Sequence, residues 1–269
     1  MDIKKTIGDM KNTLPAVLLV DFDGTVVETE MMIFKATNMM LERNGFTFQL
    51  TLSEYSDLLL LGNTETRLTH YFDQKACWPK AHQSTQERAA YVNKLKKDKD
   101  ACFDALVKED KGETFYCRPG ILKLMEEVII ELKGKCCIVS NTATSTVEKL
   151  FNALVLNACN LDSSKPPSYY HFLLDSVQII GGDAVAQNRR KPEPDLYKKA
   201  LTELECEGNY CNVVVIEDSK AGLNAAIGAN LNNVIITKSV FTKYQDFKGA
   251  KLILDQLPHD FSLKRFICL

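Results

Sequence analysis

The 269-residue chain has no long hydrophobic run: its apolar stretches, such as Ala16 to Val20 and Leu58 to Leu61, are short. A bilayer span needs roughly 18 apolar residues, so a membrane-crossing helix is excluded. Nor is there a surplus of either charge. The 33 Lys and Arg stand against 35 Asp and Glu, a net charge of −2. That balance gives no electrostatic ground for a nucleic-acid or acidic-membrane partner, while leaving room for a local basic pocket that takes a small anion. The nine cysteines, at 77, 102, 117, 136, 137, 159, 206, 211 and 268, lack the Cys-x-x-Cys pairing of a zinc site and read as mostly reduced thiols. Cys136 and Cys137 lie in an apolar run, where a small buried hydrophobe is the expected role. Neither G-x-G-x-x-G nor a P-loop follows an apparent strand, which argues against a nucleotide-dependent oxidoreductase. The residues from Met1 to Leu14 lack the apolar block of a secretory signal, so a cytoplasmic location is expected; a monomer is expected as well.

What is present is an ordinary globular composition, 45% hydrophobic and 25% charged, with enough length for a core plus one smaller domain. Short apolar runs recur at Ala16 to Val20, Cys136 to Val139, Val177 to Ile180, Val213 to Ile216 and Val234 to Ile236. They read as strands buried on both faces. Between the later ones, helical spacing such as Ile121, Leu122, Met125, Val128, Ile129 and Leu132 predicts helices covering a parallel sheet. The fold class is α/β, with a Rossmann-like core.

Too many residues separate the first strand from the second for one crossover, and Glu30 to Cys117 reads as almost wholly helical. We expect a core domain of 1–29 and 118–269 and a helical cap domain of 30–117. The first cap helix carries Ile33, Ala36, Met40 and Leu41 on one face and stops at Asn44-Gly45. A long helix follows Ser84-x-x-Glu87, a capping-box spacing, and its Lys96, Lys97, Asp98 and Asp100 are expected to form a solvated face. Asn157 to His171, with Pro166-Pro167, reads as an exposed loop.

Polar groups collect at the carboxyl ends of successive predicted strands, which is where open parallel sheets bind ligands. The first ends in Asp21-Phe22-Asp23-Gly24-Thr25 and the second in Ser140-Asn141. The third leads to Gly181-Gly182-Asp183 and Arg189-Arg190-Lys191, and the fourth ends in Glu217-Asp218-Ser219. Singly these are ordinary: Asp-x-Asp-Gly is a common turn, Ser140 suits a helix cap, and Lys191 before Pro192 suits a loop. Their conjunction describes a phosphate site. Asp21, Glu217 and Asp218, with Asp23 beside them, would repel one another without a cation, and hard oxygen ligands suit Mg²⁺. Asp21 then serves as the nucleophile through an aspartyl phosphate, and Asp23 as general acid and base. Ser140, the Asn141 amide and Lys191 donate to the phosphoryl oxygens. Gly24 allows a sharp turn, and Gly222, costing a helix about 1 kcal/mol against alanine, implies close packing.

As a set, Asp21-Phe-Asp23-Gly-Thr25, Ser140-Asn141, Lys191-Pro-Glu-Pro-Asp-Leu-Tyr197 and Glu217-Asp218-Ser219-x-x-Gly222 resemble the motifs of the haloacid dehalogenase superfamily of phosphatases. The helical insert after the first motif resembles the small-cap subfamily, which includes β-phosphoglucomutase and phosphoglycolate phosphatase. Val27 to Glu30, Leu61-Gly62 through Arg67 to Phe72, and Thr237 to Thr242 followed by Asp246-Phe247 resemble the CbbY-type sugar-bisphosphate phosphatases, which act on xylulose 1,5-bisphosphate. The resemblance implies a Mg²⁺-dependent phosphomonoesterase acting on a small phosphate ester, and it makes Glu30 and Arg67 candidate substrate contacts, with Arg67 suited to a distal phosphate. The chain departs from the pattern at Phe34, where relatives commonly hold a histidine, and at Glu65, where a basic residue is common. A phosphomutase is the alternative within the same chemistry, and a non-catalytic binding protein of the same fold the alternative outside it.

Overall fold

A computed structural model describes residues 15–61, 64–110, 115–161, 164–208, 210–258 and 260–267. Its chain divides into two compact units, one running up to Val27 and resuming at Cys117, the other spanning Glu28–Tyr116.

The first unit is built on a six-stranded sheet: β1 (Val17–Val20), β2 (Lys135–Val139), β3 (Val177–Ile180), β4 (Val213–Glu217), β5 (Val234–Thr237) and β6 (Leu252–Leu254). The order is β3-β2-β1-β4-β5-β6, with every pair parallel. Every residue of β1, β4 and β5 is buried, as a parallel sheet covered on both faces demands. Val17, Leu19, Cys137, Val139, Val213 and Val215 join Leu196, Tyr197, Leu201, Leu223 and Ala226 in one cluster on one side of the sheet. The alternate residues Leu18, Val20, Cys136, Ile138, Val214 and Ile216 are equally buried on the other. Cys136 and Cys137 are therefore core side chains, and both are free thiols.

Helices α5 (Ile121–Glu126), α6 (Thr144–Leu161), α7 (Pro167–Ser176), α8 (Asp195–Glu203) and α9 (Lys220–Gly228) complete this unit. The predicted apolar stripe from Ile121 is α5 continued by a π-helical turn over Glu127–Glu131. The expected loop of 157–171 is overturned: α6 runs to Leu161 and α7 starts at Pro167. Pro167 occupies the first helical position, where its missing N–H is not needed, and Tyr170 and Leu173 are buried behind it. Strand β6 escaped the sequence reading because it is three residues long and only partly buried.

The second unit contains α1 (Thr29–Arg43), α2 (Leu52–Leu58), α3 (Thr64–Gln74) and α4 (Thr85–Glu109). α1 ends at Asn44, with Gly45 at φ +80°, and α4 opens on the Ser84–Glu87 capping box. The solvated face expected on α4 holds only in part. Lys97 and Asp100 are exposed, while Lys96 and Asp98 are half-buried, Lys96 reaching Glu65 at 2.5 Å and Asp98 meeting Lys94 at 2.7 Å. Among the described residues no helix is long and apolar enough to cross a membrane.

Candidate active site

The strand order reverses about β1, whose neighbours β2 and β4 lead away in opposite directions, so the crevice at their carboxyl ends is the expected ligand position. Register does the rest. Val20 pairs with Ile138 on one side and Ile216 on the other, so the residues that follow, Asp21 and Glu217, stand side by side. The Asp21 N–H donates to Ile216 O at 3.0 Å, fixing the start of the loop. Gly24, at φ +84°, then turns the chain so tightly that a Cβ there would lie 2.2 Å from Asp218 Oδ2.

Oxygens of Asp21, Glu217 and Asp218 lie within 4.8 Å of one another, and all three residues are buried. Lys191, also buried, divides its ammonium among Asp21 Oδ1 at 2.7 Å, Glu217 Oε1 at 2.6 Å and Val139 O at 2.7 Å. Its Nζ lies 4.8 Å from the Tyr197 ring centre, and the Tyr197 hydroxyl donates to Glu217 Oε1 at 2.7 Å. Glu217 Oε2 accepts from the Ser219 hydroxyl at 3.2 Å. Asp218 Oδ2 accepts from Thr242 Oγ1 at 3.2 Å. Burial, then Glu217, pushes the Asp21 carboxyl up to about 7 against the pull of Lys191. Burial, Asp21 and Glu217 likewise drive Asp218 well above the usual carboxylate range. Burial opposes the charge on Lys191 too, but Asp21 and Glu217 outweigh it and hold its ammonium more firmly protonated than usual. Counted as carboxylates, the three acids outnumber their one lysine, and that formal excess of negative charge is part of what raises Asp21 and Asp218.

Asp23 stands at the edge of this cluster, where its Oδ2 accepts from Thr142 Oγ1 at 2.7 Å and Ser140 Oγ at 3.2 Å. Ser140 does not cap α6; Asp183 does, taking both the N–H and the hydroxyl of Thr144 at 2.7 Å. The Asn141 side chain braces Lys191 by two reciprocal bonds, to its carbonyl at 3.0 Å and from its N–H at 2.9 Å. Gly222 is explained by contact: a Cβ would lie 1.9 Å from the Glu217 carboxyl carbon.

A profile of the haloacid dehalogenase-like hydrolases matches residues 15–230, which takes in Asp21, Asp23, Ser140, Asn141, Lys191, Glu217 and Asp218. The chain belongs to that family. It is an enzyme of the family's phosphatase type, related to CbbY. The hydrolase is 31% identical over 246 residues to a CbbY-like protein of Arabidopsis thaliana, covering 90% of this chain and 69% of that one. It is 30% identical over 240 residues to CbbY of Cereibacter sphaeroides, covering 88% and 90%. The crystal structure of a CbbY variant from Rhodobacter sphaeroides, in complex with xylulose 1,5-bisphosphate, superposes with a TM-score of 0.68 at 26% identity, covering 95% of this chain and all of that one.

In this hydrolase the structure brings Asp21, Asp23, Ser140, Lys191, Glu217 and Asp218 together in the first unit. Glu30 and Arg67 belong to the second. Glu30, in the first turn of α1, accepts from the Tyr55 hydroxyl at 2.6 Å, and Tyr55 lies within electrostatic range of Arg67. Burial, then Glu30, lifts the Tyr55 phenol well above its ordinary value, so it remains a donor. The Arg67 Nε is buried without a hydrogen-bond partner among the described residues. Phe34 packs its ring 5.4 Å from Tyr55, and Glu65 is held below the usual carboxylate range by Lys96, against its partial burial. Sequence reasoning missed Thr142, whose hydroxyl is one place past the Ser140-Asn141 pair and reaches Asp23 across 119 residues of sequence. Nor did it assign any role to Arg118, the first residue of the expected core segment 118–269.

Proposed function

We propose that this hydrolase is a Mg²⁺-dependent phosphomonoesterase that hydrolyses a small phosphorylated metabolite, a sugar phosphate or bisphosphate, through an aspartyl phosphate on Asp21. The observation that carries the reading is the buried trio of acids, two of which, Asp21 and Glu217, share the ammonium of Lys191. Buried charge without compensation is destabilising by several kcal/mol per ion, and hard carboxylate oxygens are donors that Mg²⁺ takes. Asp21, Glu217 and Asp218 would hold the ion, with Asp23 at the rim. When bound, it would offset the excess negative charge and withdraw electron density from the phosphoryl oxygens.

In the first step an oxygen of Asp21 attacks phosphorus. The bond from phosphorus to the ester oxygen breaks, and that oxygen departs with a proton from Asp23. Asp23, now a carboxylate, takes a proton from water as the water oxygen attacks the aspartyl phosphate. Inorganic phosphate leaves, and the Asp21 carboxylate is restored. Ser140 Oγ, the backbone N–H of Asn141 and the Lys191 ammonium, which already sits 2.7 Å from Asp21 Oδ1, donate to the phosphoryl oxygens during both transfers.

Glu30 and Arg67 act as substrate contacts, Arg67 pairing with a distal phosphate. The unmet Arg67 Nε supports this role, and the complex of the related CbbY with xylulose 1,5-bisphosphate supports the substrate class. Free thiols at Cys102, Cys136 and Cys137 suit a reducing, cytoplasmic setting. The test is phosphate release from a panel of sugar mono- and bisphosphates, with and without Mg²⁺, for the wild type beside Asp21→Asn. An amide is a poor nucleophile, so the variant is expected to melt as the wild type does and to release no phosphate above background. Undiminished release by Asp21→Asn would remove Asp21 from the reaction.

A further inference from the structure

Arg118 takes no part in the proposed steps, yet its side chain is committed to groups around the acidic trio. Its Nη1 donates to the carbonyl oxygens of Gly24 and, at 3.0 Å, of Thr237. Its Nη2 donates to Lys238 O at 2.6 Å and to Thr237 Oγ1 at 3.2 Å. Its own backbone N–H donates to Val26 O at 2.7 Å. These acceptors belong to two separate loops. Gly24 and Val26 follow Asp21 and Asp23 at the end of β1. Thr237 ends β5, and Lys238 leads on into Ser239 and Thr242, whose hydroxyls lie 2.9 Å apart. Thr242 in turn donates to Asp218, the acid against which Gly24 packs.

We propose that Arg118 is a positioning residue for the metal site. By clamping Gly24 to Thr237 and Lys238, it holds Asp21 and Asp218 at the spacing at which they take a divalent cation together. The inference rests on the Mg²⁺ reading and goes beyond it, because Arg118 touches neither the acids' oxygens nor any reacting atom in that scheme. The geometry also says why the residue is arginine. Carbonyl oxygens on two loops converge here and need donors, and a planar fork meets several at once where an ammonium meets them one at a time. Arg118 also acts on Asp218 through its charge, so bracing and point charge are separable: a lysine keeps the charge and loses the fork.

The experiment compares Arg118→Lys and Arg118→Met with the wild type as full-length proteins, using Mn²⁺ as the probe. Binding is read by electron paramagnetic resonance and, independently, from the Mg²⁺ dependence of phosphate release. Both variants are expected to bind Mn²⁺ about tenfold or more weakly, as groups that orient metal ligands commonly do when replaced. Half-saturating Mg²⁺ should rise to match, KM should stay near that of the wild type, and kcat should recover as Mg²⁺ is raised. General loss of folded protein would not give that recovery. Mn²⁺ affinity within twofold of wild type in both variants overturns the proposal, and so does restoration by lysine alone, which would assign the effect to charge. If neither variant folds, Thr237→Val removes one acceptor and decides: weaker Mn²⁺ binding supports the clamp, and unchanged binding overturns it. A wild type that binds no Mn²⁺ would defeat the Mg²⁺ reading and the clamp together, a result distinct from one confined to the variants.

Discussion

Gly222 shows how one residue weighs local propensity against packing. It lies within α9, where alanine would favour the helix by about 1 kcal/mol. A Cβ at that point would nevertheless lie 1.9 Å from the carboxyl carbon of Glu217. Glu217 has nowhere to retreat, since Lys191 and Tyr197 hold one oxygen and Ser219 the other. Overpacking of this kind destabilises by about 1–3 kcal/mol, so Gly222→Ala should lose up to ~2 kcal/mol net and turnover with it, as read by chemical denaturation and phosphate release. A variant of full stability and full activity would mean that Glu217 is free to shift. The close packing at Gly222 was legible in the sequence, because a glycine early in a helix calls for a reason. The acids and Ser140 were legible for a related cause, since their chemistry stands at the ends of apolar runs, and Lys191 because it closes the loop that follows one. Arg118 and Thr142 were silent because they work through backbone carbonyls and a hydroxyl whose partners are distant in sequence.

Among the elements, α2 shows a cap that doubles as an ion pair. The Thr51 N–H donates to Glu54 Oε2 at 2.8 Å, the Glu54 N–H donates back to Thr51 Oγ1 at 3.2 Å, and Lys75, just past the end of α3, meets Glu54 Oε1 at 2.6 Å. Lys75 first, and then the Thr51 backbone, pull the Glu54 carboxyl down to about 2. A carboxyl lowered in the folded state contributes stability above its unfolded value, and that contribution is lost as the pH falls through the folded one. The melting-temperature gap between wild type and Glu54→Gln should accordingly be widest above pH 5 and close as the pH approaches 2. A gap independent of pH would show that the carboxylate charge plays no part. The α4 capping box, the stop of α1 at Asn44-Gly45 and the five longer strands all followed from spacing and punctuation. The 157–171 segment did not, because Pro167 reads as a breaker in sequence and serves as a helix start in space. β6 carries too few apolar residues to register.

At the scale of the whole molecule, residues 28–116 are an insertion whose two ends join the first unit at one place. Val27 pairs with Cys117 in an antiparallel bridge, and Arg118 N–H reaches Val26 O, so the two ends of the insertion meet. Bridged residues lie about 5 Å apart, a gap that a few glycines span, and closing a short loop has no entropic disadvantage against a long one. The sheet, its buried cluster and the acids at its carboxyl edge all lie outside the insertion. A protein in which three glycines replace residues 28–116 is therefore expected to unfold cooperatively and to bind Mn²⁺ through Asp21, Glu217 and Asp218. It lacks Glu30 and Arg67, so its kcat/KM on sugar bisphosphates should fall further than on p-nitrophenyl phosphate, which offers no distal phosphate to recognise. An unfolded product would show that the first unit needs the second in order to fold. Equal losses on both substrates would show that Glu30 and Arg67 confer no selectivity, and would move the source of specificity into the sheet's own loops.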